Sequence, residues 1–229
     1  AELWKQRKTK EIVYLGSGVS GGLNHFTSDE TKLQQNNLPV FQTIEDLAQA
    51  MQVSVNTLRF LAFSRKNSLV NHYIRFKIPK KTGGERFISA PKPRLKQAQS
   101  WILNNILIKP TVHSACHGFR LEHSIVTNAR PHVGAEVIVN LDLENFFPSI
   151  SYQRIKGLYR SLGYSEAIAT LLALICTEPD VAEVELDGRT YFIAQFSRHL
   201  PQGAPTSPAL TNLLCRRLDR RLEMIATEC

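Results

Sequence analysis

The segment VIVNLDLENFFPSI, residues 137–150, places the carboxylate of Asp142 at the end of an apolar run. The run EVIVNLDL predicts a buried strand that ends near Asp142. A carboxylate at the mouth of such a strand is costly unless a charge or a metal ion compensates it. Mg²⁺ prefers oxygen ligands and binds through one or two carboxylates plus substrate phosphates. The segment therefore predicts a magnesium site, although a two-metal site requires at least one further acid.

Glycines at positions 16, 18 and 21 match the G-x-G-x-x-G pattern of dinucleotide-binding sites. The polar residues that follow lack helical periodicity, and no second strand with a terminal acid comes at the required distance. We interpret these glycines as a turn-forming run.

The cysteine and histidine content predicts no metal framework. The four cysteines are scattered and form no C-x-x-C pair, which favours reduced thiols over disulfides or a zinc ribbon. In HSACH, residues 113–117, the spacing of His113, Cys116 and His117 suits zinc, but no second ligand pair lies nearby. We predict packing or RNA contact for this motif.

Two short helices are predicted after a polar linker at residues 27–37. Thr43 with Asp46 forms a capping pattern, and Ser54 begins the second helix. Such a pair is typical of a helix-turn-helix that reads DNA. We favour simple packing of the two helices, because Arg59 is the only basic residue on the second helix before its end.

Residues 72–91, HYIRFKIPKKTGGERFISAP, predict a basic β-hairpin. Apolar residues alternate with Arg75 and Lys77, and the glycine-rich loop returns the chain into a second strand. A helix follows, with one apolar face formed by Leu95, Ala98, Ile102 and Ile106.

Helices also dominate the rest of the predicted elements. Ser124 begins a short helix, one helix surrounds Ile155, and another spans residues 166–176. The Asp-Gly pair at 187–188 predicts a second hairpin. The last helix is predicted to start at Ser207 and to bury a leucine face formed by Leu210, Leu214, Leu218 and Leu222.

The charge pattern points to a polyanionic partner. The chain of 229 residues has a formal net charge of +8. Basic residues cluster at 5–10, 75–86, 92–96 and 216–221. Because neutralised phosphates release counterions, four such clusters favour nucleic acid over a set of solvated faces.

Four ordered motifs resemble those of reverse transcriptases. NLDLENFFPSI is similar to the palm motif Asp-x-x-x-aromatic-aromatic, and LPQGAPTSPALTN, residues 200–212, resembles the next palm motif. Residues 76–99 are similar to the fingers motif that holds incoming nucleotide, and residues 117–132 to the block between fingers and palm. Asn128, Ala129 and His132 form an element of the kind found in bacterial retron enzymes. The N-terminal segment RKTKEIVYLGSGVSGGL resembles the extension that some retron enzymes carry.

The resemblance implies an α+β right-hand polymerase fold. Residues 1–37 are expected to form an N-terminal helical extension and linker, and residues 38–229 a reverse transcriptase domain. Within that domain, residues 38–135 would contain the helical pair and fingers, and residues 136–229 a partial palm.

The resemblance also assigns roles to matching residues. Asp142 is the expected catalytic residue and would hold both Mg²⁺ ions, with the Leu143 carbonyl as a further ligand. The implied dNTP pocket contains Lys80 or Lys81 together with Arg86, Asn145, Phe146, Phe147, Gln202 and Gly203. The expected RNA contacts are Arg75, Lys77, Arg94, Asn128, His132, Arg216 and Arg220.

The two adjacent phenylalanines allow two interpretations. Taken alone, Phe146 and Phe147 suit a core. At this offset from Asp142 we expect one to pack and the other, Phe147, to exclude a 2′-hydroxyl from the sugar site.

The function implied is that of a retron RNA-directed DNA polymerase. It would use Mg²⁺, dNTPs and a structured noncoding RNA, with an effector protein and a role in antiphage defence. The sequence contains no Asp-Asp pair, whereas these enzymes continue to Tyr-x-Asp-Asp, so we expect a fragment that does not polymerise by itself. The alternatives are a noncatalytic RNA-binding scaffold on this fold and, ranked lower, the DNA-reading regulator.

No run of 18 apolar residues or signal-type segment occurs in the sequence. We expect a soluble, cytoplasmic protein.

Overall fold

A computed structural model describes residues 27–63, 67–80 and 83–228. The glycine run, most of the predicted extension, the basic cluster at 5–10 and Lys81 lie outside the described residues. The described part combines helices with antiparallel strands, which agrees with the α+β class. The helices are α1 (Glu30–Gln35), α2 (Ile44–Ala50), α3 (Val55–Ala62), α4 (Pro93–Ile102), α5 (Ile125–Ala129), α6 (Phe146–Ser149), α7 (Tyr152–Leu162), α8 (Glu166–Cys176) and α9 (Ser207–Glu228). The strands are β1 (Asn67–Ser68), β2 (Tyr73–Pro79), β3 (Glu85–Pro91), β4 (Glu178–Leu186) and β5 (Arg189–His199).

Helix α8 forms the centre of the core. All of its residues except Ala167 are buried, as expected for a helix that is apolar on every side. Glu166 at its first turn is also buried, and its carboxylate pairs with Lys156 at 2.6 Å and with Arg160 at 3.0 Å, both on α7. Because a buried carboxylate is unfavourable without partners, these two cations fix α7 beside the start of α8.

Helices α2 and α3 begin at the predicted caps. Thr43 and Asp46 form a reciprocal capping box, and the Ser54 hydroxyl accepts from the Thr57 N–H at 3.1 Å. Leu47 and Leu58 are fully buried where the two helices pack on α8. Packing of the helix pair is therefore confirmed.

The predicted linker at residues 27–37 is wrong, because it contains α1. The Asp29 side chain caps this helix by accepting from the Lys32 N–H, and Leu33 is completely buried. The Asp29 N–H also donates to the carbonyl oxygen of Gly163 at 2.8 Å. The buried Leu33 side chain and the hydrogen bond from Asp29 to Gly163 thus hold this otherwise polar segment against the end of α7.

The remaining helix predictions hold with two changes. Helix α4 buries the predicted face and continues as a π-helical segment, Leu103–Leu107, that contains the buried Ile106. Helix α9 buries Leu210, but Leu218 is 42% and Leu222 43% exposed. The prediction of one buried leucine face is therefore wrong for the second half of α9, which extends beyond the core.

Both predicted hairpins are present. Strands β2 and β3 form a two-stranded sheet, and β4 and β5 pair in a second sheet that β1 completes. The Asp187–Gly188 turn has positive φ angles at both residues, as this hairpin type requires. Within the described ranges, no helix has the length and apolar character needed to cross a membrane.

Candidate active site

The β2–β3 hairpin presents the predicted phosphate-binding side chains at its tip. Ile78 pairs with Arg86, and the Lys80 N–H donates to the Gly84 carbonyl oxygen at 3.0 Å. Gly83 and Gly84 have φ angles of +88° and +82°, which a glycine adopts without steric cost. Lys80 and Arg86 are both exposed. Lys80 and Arg86 therefore place two exposed cations at the tip of the hairpin.

The predicted Gln202–Gly203 loop lies directly against β3. The Ser89 N–H donates to the Gln202 carbonyl oxygen at 2.8 Å. Gly203 has a φ of +127°, and a Cβ at this position would lie 2.9 Å from Cγ2 of Ile88 and 3.0 Å from the Ser89 carbonyl oxygen. Only glycine fits this approach without displacing the hairpin. The structure thus brings together two of the motifs predicted to bind dNTP.

A buried ion pair makes a second connection between the hairpin and the rest of the chain. Arg75 on β2 lies 2.9 Å from the Glu178 carboxylate, whose side chain is 3% exposed. Burial alone raises the pKa of Glu178, but hydrogen bonds from His199, Ser89 and Arg75 outweigh it and leave the pKa below its usual value. His199 also lies 3.3 Å from Asp180. Arg75, predicted to contact RNA, is therefore engaged in an internal ion pair, and RNA contact by its exposed part stays a prediction.

The segment before Asp142 differs from its prediction. Residues 133–145 form no strand and are exposed, with Val137 at 78%, Val139 at 75% and Leu141 at 77%. The predicted buried strand is wrong for the described structure, because no described strand pairs with this segment and its backbone lacks a ladder. Asp142 itself is exposed.

The residues after Asp142 are firmly anchored. Asn145, with a φ of +49°, precedes α6, and the half-buried rings of Phe146 and Phe147 lie with centroids 6.1 Å apart against the core. Ile150 is buried, and its carbonyl oxygen accepts from the Leu200 N–H at 3.0 Å. This bond places the aromatic turn next to the start of the Gln202 loop.

Leu143 and Glu144 connect the exposed segment to α9. With Leu214 and Cys215 they line a cavity of about 300 Å³. The end of the segment therefore lies near α9, while the apolar side chains before Asp142 remain exposed.

The donor atoms near Asp142 suit Mg²⁺ in type but not in number. A carboxylate and the adjacent Leu143 carbonyl are both oxygen ligands. Across residues 27–63, 67–80 and 83–228, no three His, Cys, Asp or Glu side chains converge to hold a metal ion. Asp142 and the Leu143 carbonyl would therefore supply only some of the oxygen ligands that a pair of ions requires, and the magnesium site stays a prediction.

The other predicted RNA-binding residues divide into free and engaged side chains. Lys77, Arg94, Asn128, His132 and Arg220 are exposed, although Lys77 also pairs with Glu85 at 2.6 Å. Arg216 donates to the Thr111 carbonyl oxygen at 3.1 Å, which connects α9 to the loop after the π-helical segment.

The HSACH motif contributes packing. His113 lies 3.2 Å from Glu223, and Nδ1 of His117 lies 3.0 Å from the Thr127 hydroxyl.

Sequence reasoning missed Glu178 and Arg198. Arg198 is largely buried and donates to the carbonyl oxygens of Leu174 and Thr177 at 2.8 and 2.6 Å. Burial lowers its pKa to about 10, so it stays charged at neutral pH. The available signal was a charged residue that closely follows a mainly apolar run, as Glu178 and Arg198 both do. Many exposed residues have the same pattern.

Comparison with known proteins gives consistent matches. Residues 78–227 match the family model described as reverse transcriptase (RNA-dependent DNA polymerase). The chain is 42% identical to the Retron Mx162 reverse transcriptase of Myxococcus xanthus, over 98% of this chain and 47% of the relative. It is 44% identical to the Retron Mx65 reverse transcriptase of the same organism, over 89% of this chain and 48% of that relative. It is 36% identical to the Retron Ec86 reverse transcriptase of Escherichia coli, over 84% of this chain and 54% of that relative. The chain therefore spans about half the length of these relatives.

Proposed function

Because this chain belongs to the reverse transcriptase family and is of the bacterial retron type, we propose that the whole protein is an RNA-directed DNA polymerase. Its template in this proposal is a structured noncoding RNA, which it copies into DNA. The finer fold assignment belongs to the same proposal. Residues 38–135 supply the helical pair and fingers, residues 136–229 supply part of the palm, and residues 1–37 form an extension.

The contact between the hairpin and the Gln202 loop carries this proposal. Nucleotide transfer requires that cations for the triphosphate and a surface for the base be held in one fixed arrangement. The 2.8 Å bond from Ser89 to Gln202 and the close fit of Gly203 on β3 support such an arrangement. Neither contact is needed merely to close a hairpin.

In the proposed site, Lys80 or Lys81 acts with Arg86 on the triphosphate. The exposed positions of Lys80 and Arg86 on the turn support this role, since a projecting loop can close over substrate. Backbone N–H groups near Asn145 and Phe146 face the same triphosphate. Phe147 excludes the 2′-hydroxyl, and a Phe147→Ala enzyme that still preferred deoxynucleotides would remove it from this role.

Asp142 and the Leu143 carbonyl are the proposed metal ligands contributed by this chain. Mg²⁺ held there, with further carboxylates of the whole protein, supplies charge stabilisation for the transferring phosphoryl group. The exposure of Asp142 supports this assignment, because a ligand must be accessible to the ion and to substrate.

The test of the proposed function is Asp142→Asn in the full-length protein. We expect primer extension on an RNA template to be abolished while RNA affinity is retained, because the substitution keeps the shape and removes the charge. Glu144→Gln is the matched control, since it neutralises an exposed carboxylate of the same segment. Retained synthesis by the Asp142→Asn protein would refute the metal role.

The cellular part of the proposal follows from the retron type. The protein acts in the cytoplasm with its noncoding RNA and an effector protein in antiphage defence. Cells that carry the Asp142→Asn gene and still restrict phage as well as the wild type would contradict a defence role that requires DNA synthesis.

A further inference from the structure

A cavity of about 760 Å³ opens between α3, the loop at residues 68–72 and the β4–β5 hairpin. Its volume lies within the range of about 300–1,000 Å³ found for small-molecule sites. None of the described residues predicted for catalysis, dNTP binding or RNA binding lines it. It is therefore separate from the residues assigned to the function proposed above.

The charge of this cavity is one-sided. Arg59 and Arg198 line it together with His72, whose pKa is lowered by burial, and none of the described lining residues is an aspartate or a glutamate. Among the described residues, no carboxylate lies within 4.0 Å of the Arg198 guanidinium, whose hydrogen bonds go to carbonyl and hydroxyl oxygens. The nearby Glu178 is already paired with Arg75. A largely buried cation that no described carboxylate contacts favours an anion in the adjoining space.

Aromatic side chains supply part of the wall. Phe60 is 47% exposed, and its ring lies 4.8 Å from that of His72 in an edge-on arrangement. Tyr191 and Phe192 of β5 also line the cavity and are partly exposed. Accessible rings beside cations form the combination that binds unpaired nucleotides, since bases stack on the rings and phosphates pair with the cations.

We propose that this cavity binds a nucleotide, with the base against the aromatic wall and the phosphate at Arg59 and Arg198. Two sources share this chemistry, an unpaired nucleotide within single-stranded RNA and a free mononucleotide. The chain's net charge of +8 favours the first, because a polyanion gains from every basic cluster. The assignment does not depend on DNA synthesis by the protein.

The test uses the full-length protein, a fluorescein-labelled ten-nucleotide single-stranded RNA and EDTA in place of Mg²⁺. Arg59→Gln is compared with Lys109→Gln, which removes an exposed charge that does not line the cavity. We expect Arg59→Gln to reduce the magnitude of the salt dependence, log K against log salt, by about 0.7, the value for one phosphate contact on a single strand. Lys109→Gln should leave this slope unchanged.

A second pair of variants tests the aromatic wall. Phe60→Ala is expected to weaken RNA binding about fivefold or more through lost stacking. Phe119→Ala is the control, because Phe119 is 78% exposed and does not line the cavity. Circular dichroism verifies that all four variants fold, and 4-thiouridine crosslinks should map to Phe60, Tyr191 or Phe192.

Competition with uridine monophosphate separates the two sources. If it displaces the crosslinked RNA at these residues, the cavity accepts a free mononucleotide; if it does not, the cavity requires the strand. Both results support a nucleotide site. If Arg59→Gln and Phe60→Ala match their controls and the crosslinks lie elsewhere, the proposal is wrong.

Discussion

The core around α8 and the segment before Asp142 are similarly apolar in sequence but have opposite environments. Almost every residue of α8 is buried, whereas Val137, Val139 and Leu141 are each at least 75% exposed. A helix satisfies its backbone hydrogen bonds internally, so an apolar helix needs only a surface to pack on. An apolar strand also needs neighbouring strands for its N–H and carbonyl groups. The difference shows that hydrophobicity predicts burial for α8, which has helices to pack on, and fails for an apolar segment that no described strand pairs with.

The largest expected effect tests this contrast directly. Ile155 on α7 is fully buried, so Ile155→Ala should lower the free energy of unfolding of the 229-residue chain by about 2–5 kcal/mol. Val139→Ala should change it by less than about 0.5 kcal/mol, because the side chain is already in water. Urea denaturation of both variants provides the measurement. Equal losses would mean that the segment at residues 137–143 is buried in solution.

A second contrast involves two glycines with positive φ angles. Gly203 has no room for a Cβ against β3, whereas at Gly134, with a φ of +84°, a Cβ would have no neighbouring atom within 4 Å. Gly203→Ala adds crowding to backbone strain and should destabilise the chain by about 2–4 kcal/mol. Gly134→Ala adds strain alone, about 1–2 kcal/mol.

The same denaturation experiment measures both glycine variants. If Gly203→Ala lowers the free energy of unfolding no more than Gly134→Ala does, the β2–β3 hairpin moves away from the added Cβ easily. The close fit between β3 and the Gln202 loop would then be weaker than the distances indicate.

Local signals account for the parts of the fold that the sequence predicted well. The caps at Thr43, Ser54 and Ser124 and the turn at Asp187–Gly188 depend on residues within a few positions of each other, and all four are confirmed. Alternation with basic residues was enough to predict the β2–β3 hairpin. The linker at 27–37 was wrong because one buried side chain, Leu33, outweighs a polar average.

Long-range contacts account for what the sequence could not predict. The pairing of Arg75 with Glu178 joins residues 103 positions apart, and the Ser89–Gln202 bond joins a strand to a distant loop. Resemblance indicated which residues belong to the candidate site, but it gave no sign that Arg75 is held internally. No pattern in β5 distinguished the largely buried Arg198 from an exposed basic residue.

The smallest expected effect compares two carboxylates, the buried Glu178 and the exposed Asp142. Glu178→Gln should lower the free energy of unfolding at pH 7 by about 1–3 kcal/mol, because it weakens hydrogen bonds from Arg75 and His199 and leaves Arg75 without its counter-charge. Unfolding midpoints of the variant and the wild-type protein, measured between pH 7 and pH 3, give this difference at each pH.

The direction of the pH dependence follows from the pKa of Glu178. Folding holds this pKa below its usual value of about 4.3, so the folded state favours the ionised carboxylate. The resulting stability is complete above the usual pKa and is lost as the pH falls through the lowered folded value. The gap between wild type and Glu178→Gln should therefore be largest near neutral pH and shrink below about pH 4. Asp142→Asn is the control, because it removes an exposed carboxylate and should follow the wild-type curve. If the difference between wild type and Glu178→Gln stayed constant with pH, the ion pair with Arg75 would not stabilise the hairpin.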